Sequence, residues 1–189
     1  MRKRSISITL NSPAVLCFAF LSLISLLLGI LTGGRSTQTF FMVYRSSLLS
    51  PLTYLRFFTH ALGHAGWEHF IGNMSYILLL GPVLEEKYGS KKVIGVIILT
   101  ALVTGVISFI FFPHVALCGA SGVVFAFILL ASFVNFREGE IPITFILVAL
   151  IFLGQEIYSG LFVHDNVAQF AHIIGGIVGA LAGYNLNKK

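Results

Sequence analysis

Charge is what this sequence lacks most. Of its 189 residues only 10% are charged, and just seven are acidic. A soluble domain carries about 25% charged residues, so a shortage on this scale excludes an ordinary water-facing surface. Cysteine is nearly absent: Cys17 and Cys118 fall near opposite ends of two different apolar segments, which excludes a convincing disulfide. Both read as free thiols behaving like small apolar side chains. No internal repeat and no low-complexity tract breaks the chain. The twelve basic residues are scattered over several connections, so no cationic stripe suggests a nucleic-acid partner.

What remains is apolar. Hydrophobic residues make up 57% of the chain, and the mean hydropathy is +0.94. Crossing about 30 Å of hydrocarbon takes roughly 17–25 apolar residues, and six segments meet that length, near 14–32, 68–86, 93–112, 119–136, 141–160 and 167–186. The expected fold is therefore an all-α membrane protein of six transmembrane helices, a single domain over 1–189. Met1-Arg2-Lys3-Arg4 before an apolar run resembles a signal peptide. No Ala-x-Ala-like site follows Leu31, so a retained helix is expected. With the N-terminus inside, Arg2, Lys3, Arg4, Lys87, Lys91, Lys92, Arg137, Lys188 and Lys189 share the cytoplasmic side. Only Arg35, Arg45 and Arg56 lie outside. That asymmetry satisfies the positive-inside rule and returns both termini to the cytoplasm. The net charge of +5 is thus a matter of topology.

One connection is long. Residues 33–67 are too broken to span a bilayer, yet Tyr54, Phe57, Phe58 and Trp67 make them too aromatic for a solvated linker. An element lying in the membrane interface is expected there. The other turns are plainer: Gly89 offers a helix C-cap after Glu85-Glu86-Lys87-Tyr88, and Pro113 and Pro142 punctuate helix ends.

Polar groups inside a bilayer are costly and invite a functional explanation. The topology puts His69 and Asn73, Ser121, and His172 at similar depth toward the outer face. Ser121 is flanked by Gly119-Ala120 and Gly122, small residues that let helices approach closely. It opens a helix whose first N–H groups and positive dipole end are free to face an oxyanion. For a lone membrane serine, packing is the default use. The pattern is not a nucleophile elbow, which needs glycine where Val123 stands. His172 precedes Gly175, Gly179 and Gly183, a four-residue repeat that forms a smooth contact face. If the helices of Ser121 and His172 pack together, the imidazole can take the serine proton and return it to a leaving amine. A structural hydrogen bond is the alternative use of that histidine. His69 and Asn73, one helical turn apart, both carry N–H donors suited to an oxyanion hole. His60 and His64 are also four apart. They lack the His-Glu-x-x-His arrangement, so loop-fixing hydrogen bonds are expected rather than a metal site. No acid is placed beside His172, which leaves a Ser–His dyad as the economical scheme and slow turnover as its consequence.

In this order and spacing the residues resemble the rhomboid family of intramembrane serine proteases, over roughly residues 54–186. The segment Arg56-Phe57-Phe58-Thr59-His60-Ala61-Leu62 with His64 is similar to the start of that family's long first loop. His69-x-x-x-Asn73, Gly119-Ala120-Ser121-Gly122 and Ala171-His172-x-x-Gly175 resemble its three remaining signatures. Leu55 stands where some bacterial members carry tryptophan. The resemblance implies a minimal six-helix bundle of bacterial type with an interfacial loop between its first two helices. It implies Ser121 as nucleophile, His172 as general base and acid, and His69 and Asn73 with the Ser121 N–H as oxyanion hole. No cofactor or metal is implied. The implied partners are the lipid bilayer and transmembrane protein substrates, cut near the outer face of a bacterial inner membrane. Two other readings compete: a non-catalytic rhomboid-like protein that binds or escorts membrane clients, and a small transporter. The latter predicts inverted repeats, which the sequence does not show.

Overall fold

The structure, a computed structural model, describes residues 9–134, 140–162 and 166–188. Side chains are described for all of these except 153, 155–157, 159–162 and 166–168. Arg2, Lys3, Arg4, Arg137, Asp165 and Lys189, and the side chains of Glu156, Leu161 and Phe162, therefore lie outside the description.

Among the described residues, eight α-helices follow one another: α1 (Pro13–Leu31), α2 (Arg35–Phe40), α3 (Pro51–Thr59), α4 (Trp67–Tyr88), α5 (Ser90–Phe111), α6 (Ser121–Ala131), α7 (Ile143–Phe162) and α8 (Asn166–Asn187). Six of them match the expected segments, four to within two residues at both ends. Pro13 starts α1 with its fixed φ. The next N–H groups, of Ala14 and Val15, donate to the buried Glu85 carboxylate at 2.9 and 3.0 Å. Ser90 Oγ donates to the same carboxylate at 2.7 Å. One acid at the end of α4 thus satisfies the orphan donors and dipole of α1 and pins the turn into α5. Gly89 makes that turn at φ 83°. By length and composition α1 and α5 are apolar enough to cross a membrane.

The connection 33–67, too broken to span, folds into α2, α3 and a 3₁₀ turn over His60–Leu62. Helices this short leave little periodic signal, and tertiary bonds hold them. Buried Arg56 donates from Nε to the Thr39 carbonyl at 2.8 Å and lays its guanidinium 4.4 Å from the Tyr44 ring centre. The Thr59 hydroxyl donates to the Phe40 carbonyl. One expectation needs correction, the extent of α6. It was expected over 119–136 but begins at Ser121 and closes at Ala131, followed by turns to Val134; 135 and 136 lie outside the description. Gly119 has φ +132°, outside the helical basin, so the helix cannot extend back through it. Eleven residues rise only about 16 Å, half the reach of the 22-residue α4, α5 and α8.

This short helix is the centre of the molecule. Val123, Val124, Ala126, Phe127 and Leu130 are all buried, and apolar residues on every side mark a helix wrapped by others. Helix α8 lies directly against it. A Cβ at Gly175 would overlap the Gly122 backbone, one at Gly179 the Ala126 backbone, and one at Gly183 the Phe133 ring at 2.5 Å. The glycine repeat read from the sequence is therefore the α6–α8 contact face.

Candidate active site

The segment leading into α6 is fixed from two sides. Leu117 forms an antiparallel bridge with Val43, its N–H and carbonyl bonded at 2.8 and 2.9 Å. Two residues on, the Gly119 N–H donates to the His60 carbonyl at 2.9 Å. His60 is itself anchored, because its Nε2–H donates to the Ala101 carbonyl of α5 at 2.9 Å. The chain then turns through Gly119 and enters α6 at Ser121, which is half-buried. The first N–H groups of a helix have no partner within it, so Ser121 stands where backbone donors are available.

His69 and Asn73 face this turn from α4. A Cβ built on Gly119 would lie 2.7 Å from His69 Nε2 and 3.7 Å from Asn73 Nδ2. Glycine is thus required at 119 by backbone angle and by space. Asn73 is buried, and its Nδ2 donor has no hydrogen-bond partner among the described residues. Its amide N–H group is thus available to an acceptor at this turn. His64 sits edge-on to His69, with ring centres 5.1 Å apart.

His172 reaches the same region from α8. Its neighbour Ala171 presents a carbonyl 3.5 Å from where a Gly122 Cβ would be, so Ser121 and His172 flank one close backbone crossing. The imidazole stacks on Phe125, with ring centres 4.3 Å apart and planes at 6°. Phe125 follows Ser121 by four residues and shares its face of α6. The histidine ring therefore lies on the serine's face, about one helical turn along. Phe125 also meets Phe152 of α7 edge-on at 5.3 Å. Sequence reasoning missed Phe125 and the His60–Gly119 bond. The four-residue spacing from Ser121 to an aromatic was the available signal for the first.

His60 and His64 serve the loop. The Nδ1–H of His64 donates to the Leu62 carbonyl at 3.1 Å. Burial pushes both imidazoles down to about 4, and the nearby His69 adds to the effect at His64. Each is a neutral ring with its donor committed to a carbonyl. Of the acids in this part of the chain, Glu68 is exposed.

A family model described as the Rhomboid domain matches residues 51–189. The chain belongs to the Rhomboid family. Among its relatives, Rhomboid-related protein 2 of Mus musculus is 35% identical over 161 residues, covering 74% of this chain and 53% of that protein. Rhomboid protease GlpG of Haemophilus influenzae is 28% identical over 133 residues, 68% of each chain. Rhomboid protease GluP of Bacillus subtilis is 26% identical over 188 residues, 94% of this chain and 36% of its own. The chain thus spans about half the length of the mouse relative. A rhomboid domain built of helices this apolar makes the chain an integral membrane protein. The matched region takes in the Gly119 turn, His69, Asn73, Ser121 and His172.

Proposed function

We propose that this rhomboid is an intramembrane serine endopeptidase that cleaves transmembrane segments of membrane proteins near the outer face. Ser121 Oγ attacks the scissile carbonyl carbon while its proton passes to a ring nitrogen of His172. The oxygen of the tetrahedral intermediate becomes an anion, met by the Ser121 N–H, a His69 ring N–H and Asn73 Nδ2–H. Collapse breaks the C–N bond, and His172 protonates the departing amine. Water then attacks the ester on Ser121, losing its proton to His172, which returns it to Ser121 as the acid product leaves. The observation that carries this reading is the placement of His69 Nε2 and the Asn73 Nδ2 donor against the Gly119 turn that leads into Ser121.

The setting proposed is a bacterial inner membrane crossed six times by α1, α4, α5, α6, α7 and α8, with both termini cytoplasmic. The Ser121 turn faces outward, and α2 and α3 lie at the interface. A fluorophosphonate, which phosphorylates only activated serines, tests the dyad. Intact-mass and peptide mapping should place one adduct on Ser121 and lose it in His172→Ala. An adduct of equal yield in Ser121→Ala would place the reactive serine elsewhere and refute the assignment.

A further inference from the structure

A groove unrelated to the Ser121 site runs along the outside of the bundle between the N-terminal halves of α1 and α5. Its walls are Phe18 and Leu21 on one side and Ile94, Ile97 and Ile98 on the other. Phe58 and Leu62 close one end where the 3₁₀ turn meets α5 at Ala101. The ends of the walls, Ala14 and Leu21 on one side and Ile94 and Ala101 on the other, are each seven residues apart, about 10 Å of helix. That is less than one leaflet of a 30 Å hydrocarbon core. The groove holds about 310 Å³. Phe58, Thr59 and Leu62 stand across its far end, so a transmembrane helix cannot run on along the groove. The shape suits a flexible hydrocarbon chain entering from the open end.

The open end is cationic. Lys91, exposed at the start of α5, precedes Ile94 by three residues and Ile98 by seven, so all three share one face. Lys92 is exposed beside it, and Lys87 and Lys188 lie at the same end of the molecule, since Asn187 bonds Tyr88 at 2.8 Å. Against them stands exposed Glu86. Glu85 is buried with three donors already on its carboxylate. Basic residues at a membrane surface attract anionic headgroups by about 1 kcal/mol each.

We infer that the α1–α5 groove is a site for one anionic phospholipid, its acyl chain under the Phe58–Leu62 roof and its phosphate against Lys91. This depends on neither the dyad nor its chemistry. The test is native mass spectrometry of the detergent-solubilised protein loaded from vesicles of equal phosphatidylglycerol and phosphatidylcholine. The intact protein should retain one lipid with about a fivefold preference for phosphatidylglycerol. Lys91→Glu should abolish the preference while leaving retention, and Ile98→Trp should abolish retention. Ile177→Trp, in the separate groove between α5 and α8, should change neither. Equal retention in Ile98→Trp, or undiminished preference in Lys91→Glu, overturns the site. So does a homodimer that dissociates in Ile98→Trp, which would make a second copy the occupant. Ile98→Trp and Lys91→Glu should leave fluorophosphonate labelling of Ser121 unchanged, which separates failure of the lipid site from failure of the dyad.

Discussion

Gly119 shows how tightly the candidate site is determined by single residues. It holds φ +132°, and its missing Cβ leaves the space facing His69 and Asn73. Gly119→Ala therefore adds backbone strain of about 1–3 kcal/mol and displaces the His69 ring. Loss of one oxyanion donor costs about 10²–10³ in kcat, so kcat should fall by that factor with KM little changed. A variant retaining kcat within a few-fold would show that His69 is not needed where the structure puts it. Ser121, His172, His69 and Asn73 stand out in the sequence as candidates because each is a polar residue in an apolar setting. The reason for Gly119 was not legible there, since its angle and its neighbours come from α4, 46–50 residues earlier. Phe125 hid for the opposite cause: an aromatic in an apolar helix attracts no notice until His172 is found stacked on it.

At the scale of elements, the loop between α1 and α4 works as a brace for the turn into α6. Its His60 bonds Ala101 through the ring and Gly119 through the carbonyl. Both His60 and His64 are neutral in the fold, held down to about 4, while in the unfolded chain they protonate near 6.5. Between those values the unfolded state binds protons that the folded state does not. Stability is therefore fully present above about pH 6.5 and is lost as pH falls toward 4, by up to about 3 kcal/mol per histidine. Thermal melting from pH 7.5 to 4.5 should show a falling Tm, and His64→Gln should reduce the slope. A flat profile would mean that these rings are solvated. The helices themselves were legible from apolar length alone. The six-residue α2 was not, and the early end of α6 was not, because both are set by contacts rather than by their own composition.

For the molecule as a whole, the short central helix and the longer ones around it set a depth scale. Helix α6 starts well inside the span of its neighbours, so water must reach Ser121 from one face. In the proposed orientation that face is the exterior. Single cysteines placed at Lys91 and at His114, in a background lacking Cys17 and Cys118, should react with a membrane-impermeant maleimide from opposite sides in intact cells. Only the His114 position should be labelled from outside, and labelling of Lys91→Cys from outside would invert the topology. The most direct test of the central claim is cleavage of a model transmembrane substrate in proteoliposomes by wild-type protein and by Ser121→Ala and His172→Ala. The prediction is one discrete cut near the outer face by wild type and loss of at least about 10³-fold in both variants. Cleavage by Ser121→Ala at the wild-type rate would contradict it.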